Sequence, residues 1–331
     1  MWQRRGVTTV DRRVRTLPWV ALGVVYVLWG STYLANRYVI VSMPPLLASG
    51  LRFATGGLLL GVLVLVIAGP GTFVMTRAQF GTAALSGLLL PAWGNGFVIL
   101  AQSQVASGLT ALLIAAVPLY IAVLRALTGD RPRRATVLGV LVGAAGLALL
   151  VLVGPSGGSG GVSGSAWWGP PLVLLAGLGW ATGTFATTRL PVPANPFALA
   201  TAQQLVGGAI LVVASTAVGE RVNLGAIAPV SWWAWAYMAL LVSLGAFSAY
   251  AYALANLPVS TVATYAYVNP VIAVLLGVLV AGERFSAVQL VGGAVVLLAV
   301  VLVIAAERPR RTCAAANRRS RMAASPCDQS G

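Results

Sequence analysis

The feature that most limits this chain is a series of ten apolar segments. Each is about 20 residues long, the length a helix needs to cross the core of a bilayer. They cover 17–38, 45–68, 80–100, 106–126, 135–153, 168–187, 196–218, 231–253, 259–280 and 286–305. Inside lipid, each backbone N–H and C=O must find its partner within the protein, so such runs become helices. The fold class predicted is an all-α membrane protein with ten transmembrane helices. Composition agrees, because 59% of the 331 residues are hydrophobic and only 8% are charged. A soluble domain carries roughly 25% charged residues, so a soluble enzyme is excluded on surface grounds.

The ten spans fall into two sets of five. The segment 154–165, GPSGGSGGVSGS, has no charge and no apolar run, and reads as a flexible linker. The organisation expected is a basic N-terminal tail (1–16), a first repeat (17–153), a linker (154–167), a second repeat (168–305) and a basic C-terminal tail (306–331). The halves resemble each other in order. Trp29 precedes Trp180 by 151 residues, and Pro45 precedes Pro196 by the same offset. Pro118 and Pro270 are 152 apart. Ser107 and Ser260, Gly129 and Gly282, Asp130 and Glu283, and Gly139 and Gly292 are each 153 apart. A series in one order at almost one offset marks an internal repeat. Five is odd, so the second half starts on the opposite side and the repeats are inverted. Transporters built this way bind substrate near the midplane, between the repeats.

The net charge is +15, and every cation is Arg, with no Lys and no His. A charge of this size suggests nucleic acid only if it forms a basic face. Here it is sorted across a membrane instead. With the N-terminus inside, seventeen arginines fall on the inner side, including Arg4, Arg5, Arg77, Arg125, Arg133, Arg189 and the tail from Arg308 to Arg321. Only Arg37, Arg221 and Arg284 fall outside. Cytoplasmic segments carry the excess of Arg, so both termini are placed in the cytoplasm, and no nucleic-acid partner is expected. The apolar run after the basic start lacks a small-residue cleavage signal and reads as a signal anchor. Cys313 and Cys327 lie in the polar tail and make neither a disulfide framework nor a zinc site. The reading calls for no metal and no cofactor.

Polar groups within the spans are the candidates for function, because lipid penalises them. Arg52 is the sharpest. It lies eight residues past Pro44, about 12 Å into span two at the helical rise. An Arg at a helix centre costs roughly 2.5–3.5 kcal/mol on insertion scales, and no acidic residue lies in any span. Arg52 either faces a cavity and attracts a carboxylate or phosphate, or it snorkels to the surface or bonds helix carbonyls. Its repeat mate is Gln203. Tyr26, Trp29 and Tyr33 share one face of span one at spacings of three and four, with Ser31 and Thr32 beside them. Trp180, Gly183, Thr184 and Thr187 are the counterparts in span six. Span three offers Trp93 and Asn95, span eight Ser243, Phe247 and Tyr250, and span nine Tyr265 and Asn269.

Aromatic rings with a few amides suit a pocket for a small amphipathic solute. Helix packing is the competing account for each one singly. Trp167, Trp168, Trp232 and Trp233 sit at span ends and read as an interfacial belt. Pro118 and Pro270 fall inside spans four and nine and read as kinks, with gating the functional account and a static bend the bland one. Gly57, Gly61, Gly139, Gly143, Gly292 and Gly293 read as close helix contacts. Gly129-Asp130-Arg131 and Gly282-Glu283-Arg284 read as turn and capping chemistry, with Glu283 the alternative candidate for proton coupling.

Several of these motifs carry a resemblance. Leu28-Trp29-Gly30-Ser31, the stretch from Pro44-Pro45 to Leu51-Arg52-Phe53, and the "Pro … Gly-Asp/Glu-Arg … Gly" end of each half are similar to the EamA-type branch of the drug/metabolite transporter superfamily. The resemblance spans about 17–305. It implies ten spans with both termini inside and secondary transport, most often export of amino acids, related metabolites or drugs. It also implies a central cavity lined by the first four spans of each half. The last spans, five and ten, are peripheral and serve packing or dimerisation, which makes a homodimer one expected partner beside the lipid bilayer and a small-molecule substrate. Two departures stand out: Asp130 where Glu is usual, and Trp180-Ala181 where the first half has Trp-Gly.

The function expected is a plasma- or inner-membrane secondary transporter, exporting small metabolites such as amino acids or drugs by alternating access. Uptake or exchange by the same fold is the alternative, and a receptor or scaffold using the basic tail is another. Catalysis is not expected, since no His, no Cys and no carboxylate pair lies within a span. No Walker sequence points to ATP.

Overall fold

The computed structural model describes residues 9–130, 132–153, 167–257, 259–262 and 264–307. The C-terminal tail from residue 308, nearly all of the linker and the first eight residues lie outside that set, as do Arg131, Cys313 and Cys327. The described residues are helical with turns, and no strand occurs among them. Eight of the described helices are long and apolar enough to cross a membrane. Two further helices complete the set of ten spans. Gly169–Arg189 has 21 residues and is less apolar, and the main helix of span nine, Tyr265–Ala281, has 17. Span one begins at Thr9, earlier than the apolar run does, and ends at Val39.

Local chemistry sets several of the helix starts. Thr76 opens span three, Arg77–Ala101, with a capping box: its hydroxyl accepts from Gln79 N while Gln79 Oε1 accepts from Thr76 N. Asn195 caps span seven, Pro196–Ala217, and Pro196 needs no N–H at the first helical position. Span two, Pro45–Ala68, starts the same way. Its free Leu46 and Leu47 amides are capped across the fold by the Glu220 carboxylate at 3.1 and 2.9 Å. Spans four and nine both end at a glycine in the left-handed region, Gly129 at φ 98° and Gly282 at φ 65°, where a β-carbon is strained.

Each span packs chiefly against the other half of the chain. Span two lies along span seven. Span five, Arg134–Val153, lies along span ten, Ala287–Glu307. Span one crosses to spans eight and nine, while span six, Gly169–Arg189, crosses to spans three and four. Without a hydrophobic drive between helices in lipid, such contacts depend on close van der Waals packing. At the two–seven crossing, a β-carbon on Gly208 would lie 2.7 Å from Ala54 N and 2.9 Å from Gly50 O. Only glycine admits that approach of two backbones. A cluster of Leu109, Leu113, Leu119, Leu150, Val173 and Val300 packs spans four, five, six and ten together. Large apolar side chains such as Val66, Ile67, Leu152 and Leu279 point outward and are exposed, as lipid-facing residues must be.

The third and eighth spans each contain a stretch of wider π-helix, Leu88–Asn95 and Met238–Ala246. Both stretches occupy the same part of their repeat. Pro91 accounts for the first, because it removes a backbone donor from the ladder. No proline accounts for the second. Span four is interrupted at Ala115–Ala116, so Pro118 is the second residue of the helix Val117–Leu127. Pro270, by contrast, lies within the unbroken helix Tyr265–Ala281.

Candidate functional site

A cavity of about 570 Å³ lies between the two halves. Spans one, two, three and four line it from the first half, and spans six, eight, nine and ten from the second. The aromatic wall is built by the helical spacing of span one and its neighbours. Trp29 packs at 5.0 Å from both Tyr250 and Tyr265 and at 5.8 Å from Phe247 (ring centroids). Tyr250 and Tyr265 meet edge to face at 5.8 Å. Trp180 and Thr184 line the facing wall, with Asn95, Asn269, Pro118 and Pro270 between. The Asn269 side-chain oxygen is buried without a hydrogen-bond partner.

Arg52 reaches this cavity and is only 5% exposed. It does not snorkel. Its Nε donates to Ser243 Oγ at 3.1 Å, and its guanidinium lies 4.3 Å from the Phe53 ring centroid. Ser243 stands in the π-helical stretch of span eight, which aims it at span two.

Of the twelve residues expected to bind substrate, Trp29, Tyr33, Arg52, Asn95, Trp180, Tyr250, Tyr265 and Asn269 line the cavity. The other four are placed elsewhere. Trp93 is turned away; its indole fills a notch over Gly179, and Nε1 donates to Leu175 O at 2.8 Å. Gln203 points at span three, donating to Ser86 Oγ at 2.9 Å. Tyr26 bonds Thr264, and Ser31 bonds Tyr237 at 2.5 Å, so both hydroxyls knit helices together. The neighbour of Gln203, Gln204, was not singled out from the sequence. It is buried against Gly56 and Ser243 with both amide atoms unpartnered. Nothing local separates two adjacent glutamines in an apolar span.

The paired acidic turns reach further than their own helices. Glu283 is fully buried and sits on the start of span four. Its carboxylate accepts from Ser107 N at 2.8 Å, Ser107 Oγ at 2.7 Å and Gly108 N at 3.0 Å, and from Arg37 Nη1 at 2.8 Å. Asn36 and Gln102, both buried, bond to each other beside it at 2.8 Å. None of these residues lines the cavity. The repeat carries Asp130 to the position of Glu283, and Arg189 lies one residue past the position of Arg37. Asp130 accepts from Arg189 Nη2 at 3.2 Å and from Arg125 Nε at 3.0 Å, with all three side chains more than 40% exposed. The Arg125 hydrogen bond, with Arg189 adding to it, holds the Asp130 carboxyl below its ordinary range. Arg125 lies 18 residues from Ser107 along span four, about 27 Å at the helical rise. The cavity runs to this far end, where Arg125, Val303 and Ile304 line it.

A solute-sized cavity between two sets of apolar spans is the arrangement of a polytopic membrane transporter. The sequence comparisons narrow the class. The profile of the EamA-like transporter family matches residues 17–152 and 167–305, and the chain belongs to that family. The inner membrane transporter YedA of Escherichia coli (strain K12), itself uncharacterized, is 37% identical over 83% of this chain and 87% of its own length. A WAT1-related chloroplastic protein of Arabidopsis thaliana is 29% identical over 84% of this chain and 67% of its own. A solved crystal structure shares the fold at TM-score 0.59 and 20% identity, covering 92% of this chain and 98% of that one.

Proposed function

We propose that the protein is a secondary transporter that exports a small amphipathic solute across the cell membrane by alternating access. The observation that carries the proposal is the cavity between the two halves, which reaches Arg125 near the Asp130 end and has no residue of the Glu283 cluster in its lining. The arginine asymmetry supports placing the Asp130 end in the cytoplasm, so this conformation faces inward. Inverted repeats supply the second conformation: exchanging their arrangements would bury Asp130 and free Glu283. Export, rather than uptake or exchange, rests on the resemblance to the family.

Two measurements test this reading. Metabolite profiles of cells with and without the gene are expected to differ in small amphipathic solutes. Those solutes are then expected to cross liposomes only when the purified protein is present. A flux that is the same without protein refutes transport, and a flux that saturates only in the inward direction refutes export. Trp29 and Trp180 supply a direct optical check, since both line the cavity. A transported solute is expected to change the intrinsic fluorescence. Trp29→Ala or Trp180→Ala is expected to weaken binding about tenfold, the scale of losing one buried aromatic contact. Unchanged affinity in both variants counts against the cavity as the binding site.

A further inference from the structure

We infer that the solute is a monocarboxylate with an apolar body, its carboxylate held by Arg52 and its body by the aromatic walls. This rests on the transport reading and adds the charge and chemical class of the solute. Arg52 is a buried cation that no protein anion neutralises. The acidic side chains whose contacts the structure describes are three, and each is engaged elsewhere: Asp130 with Arg125 and Arg189, Glu220 with the Leu46 and Leu47 amides, and Glu283 with Arg37, Ser107 and Gly108. The protein contacts of Arg52 are Ser243, whose Oγ accepts a hydrogen bond from Nε, and the face of Phe53. Both Nη groups are left without a protein acceptor among the described residues. An Nη pair is a planar fork that fits the two oxygens of one carboxylate.

The charge balance fixes the number of negative charges. Two arginines line the cavity, Arg52 and Arg125, and Asp130 already faces Arg125. The Arg125 side chain is more than 40% exposed and shares Asp130 with Arg189, whereas Arg52 is buried, so the buried part of the lining carries one positive charge, which matches a single carboxylate. A phosphate monoester carries roughly two negative charges at neutral pH, one too many. A zwitterion brings an ammonium that needs an acceptor of its own, and no carboxylate lines the cavity among the described residues. The rest of the lining explains the apolar body: Trp29, Trp180, Tyr250, Tyr265 and Phe247 present mostly carbon. Asn269, with its unpartnered oxygen, offers a second polar contact.

The test uses the purified full chain in liposomes and a panel with one phenyl body: 3-phenylpropanoate, its amide, phenylethylamine, phenylalanine and phenyl phosphate. Tryptophan fluorescence reads binding, and counted solute reads flux. The carboxylate is expected to bind and cross at least about tenfold better than every other member, the scale of one charged hydrogen-bonded contact. Arg52→Gln is expected to bring the carboxylate down to the level of the amide while leaving the amide unchanged. Arg52→Lys, which keeps the charge and loses the fork, is expected to fall between. If Arg52→Gln does not fold, the parent panel and Arg52→Lys decide the matter. Equal or better handling of the amide, the amine, the zwitterion or the phosphate by the parent overturns the assignment and leaves transport standing. So does an equal loss for carboxylate and amide in a folded Arg52→Gln protein. If no member of the panel binds or crosses, the monocarboxylate assignment falls, and transport stands or falls on the metabolite profile and the liposome flux of the solutes it names.

Discussion

Glu283→Gln is expected to slow transport at least about tenfold and to admit solvent to the cavity from the Glu283 end. The carboxylate takes four hydrogen bonds, three from the start of span four and one from Arg37, and none of it is exposed to solvent. A glutamine of nearly the same volume offers one acceptor oxygen instead of two. Its amide nitrogen would point a donor at the Ser107 or Gly108 donors, leaving a buried N–H unpaired. Breaking a buried ion pair costs about 3–5 kcal/mol. The Arg37 side chain is 41% exposed, so solvent recovers part of that, and about 2 kcal/mol is the working figure. That shifts the balance of the two conformations roughly 30-fold. Arg37→Gln removes only the half-exposed partner and is expected to act several-fold less.

Labelling reads the opening directly. With Cys313 and Cys327 replaced, a cysteine at Thr32 in the cavity wall is shielded from an impermeant thiol reagent added at the Glu283 end. Glu283→Gln is expected to expose it. Unchanged labelling with unchanged flux means that the Glu283 cluster holds a turn and not a closure.

Gly208→Leu is expected to abolish recovery of folded protein. The β-carbon alone would sit 2.7 Å from Ala54 N and 2.9 Å from Gly50 O. Both are backbone atoms within span two, so no rotamer change relieves the clash. Spans two and seven would have to separate along their whole crossing. Overpacking in a well-packed core costs about 1–3 kcal/mol when side chains can shift, and here they cannot absorb it. Gly81→Leu is the control, because Gly81 has no neighbour within 4 Å and the change is expected to leave the melting temperature within a few degrees. If both variants melt alike, the close crossing is not what holds the two repeats together.

The legible part of the site was the part written along a single helix. Trp29 and Tyr33 sit a turn apart on one face of span one, and both line the cavity. Arg52 stood out because any cation is costly at that depth in lipid. Trp93 had the same composition signal as Trp29, yet it packs on Gly179 and faces away. Gln203 was the repeat mate of Arg52 at the common offset, yet it bonds Ser86, and Gln204 turns toward Ser243 instead. The reason is physical. A soluble helix shows by its polar stripe which side faces water, but lipid is as apolar as the protein interior. A span that is apolar all round therefore leaves its own rotation unstated, and a polar residue can serve packing as readily as a cavity.

The sequence by itself determined the number of helices, the two-repeat plan and the membrane setting. Each of these follows from segment length, order and bulk hydrophobicity, which need no knowledge of which helix touches which. Only the tertiary structure decided where the polar groups go. Glu283 caps a helix that starts 176 residues earlier in the chain, Ser243 reaches Arg52 from a stretch of π-helix, and the carboxylate of one acid–Arg pair is buried while that of the other is exposed. Those contacts depend on how ten apolar rods rotate and cross, and the close approaches that select one arrangement exist only once all the spans are in place.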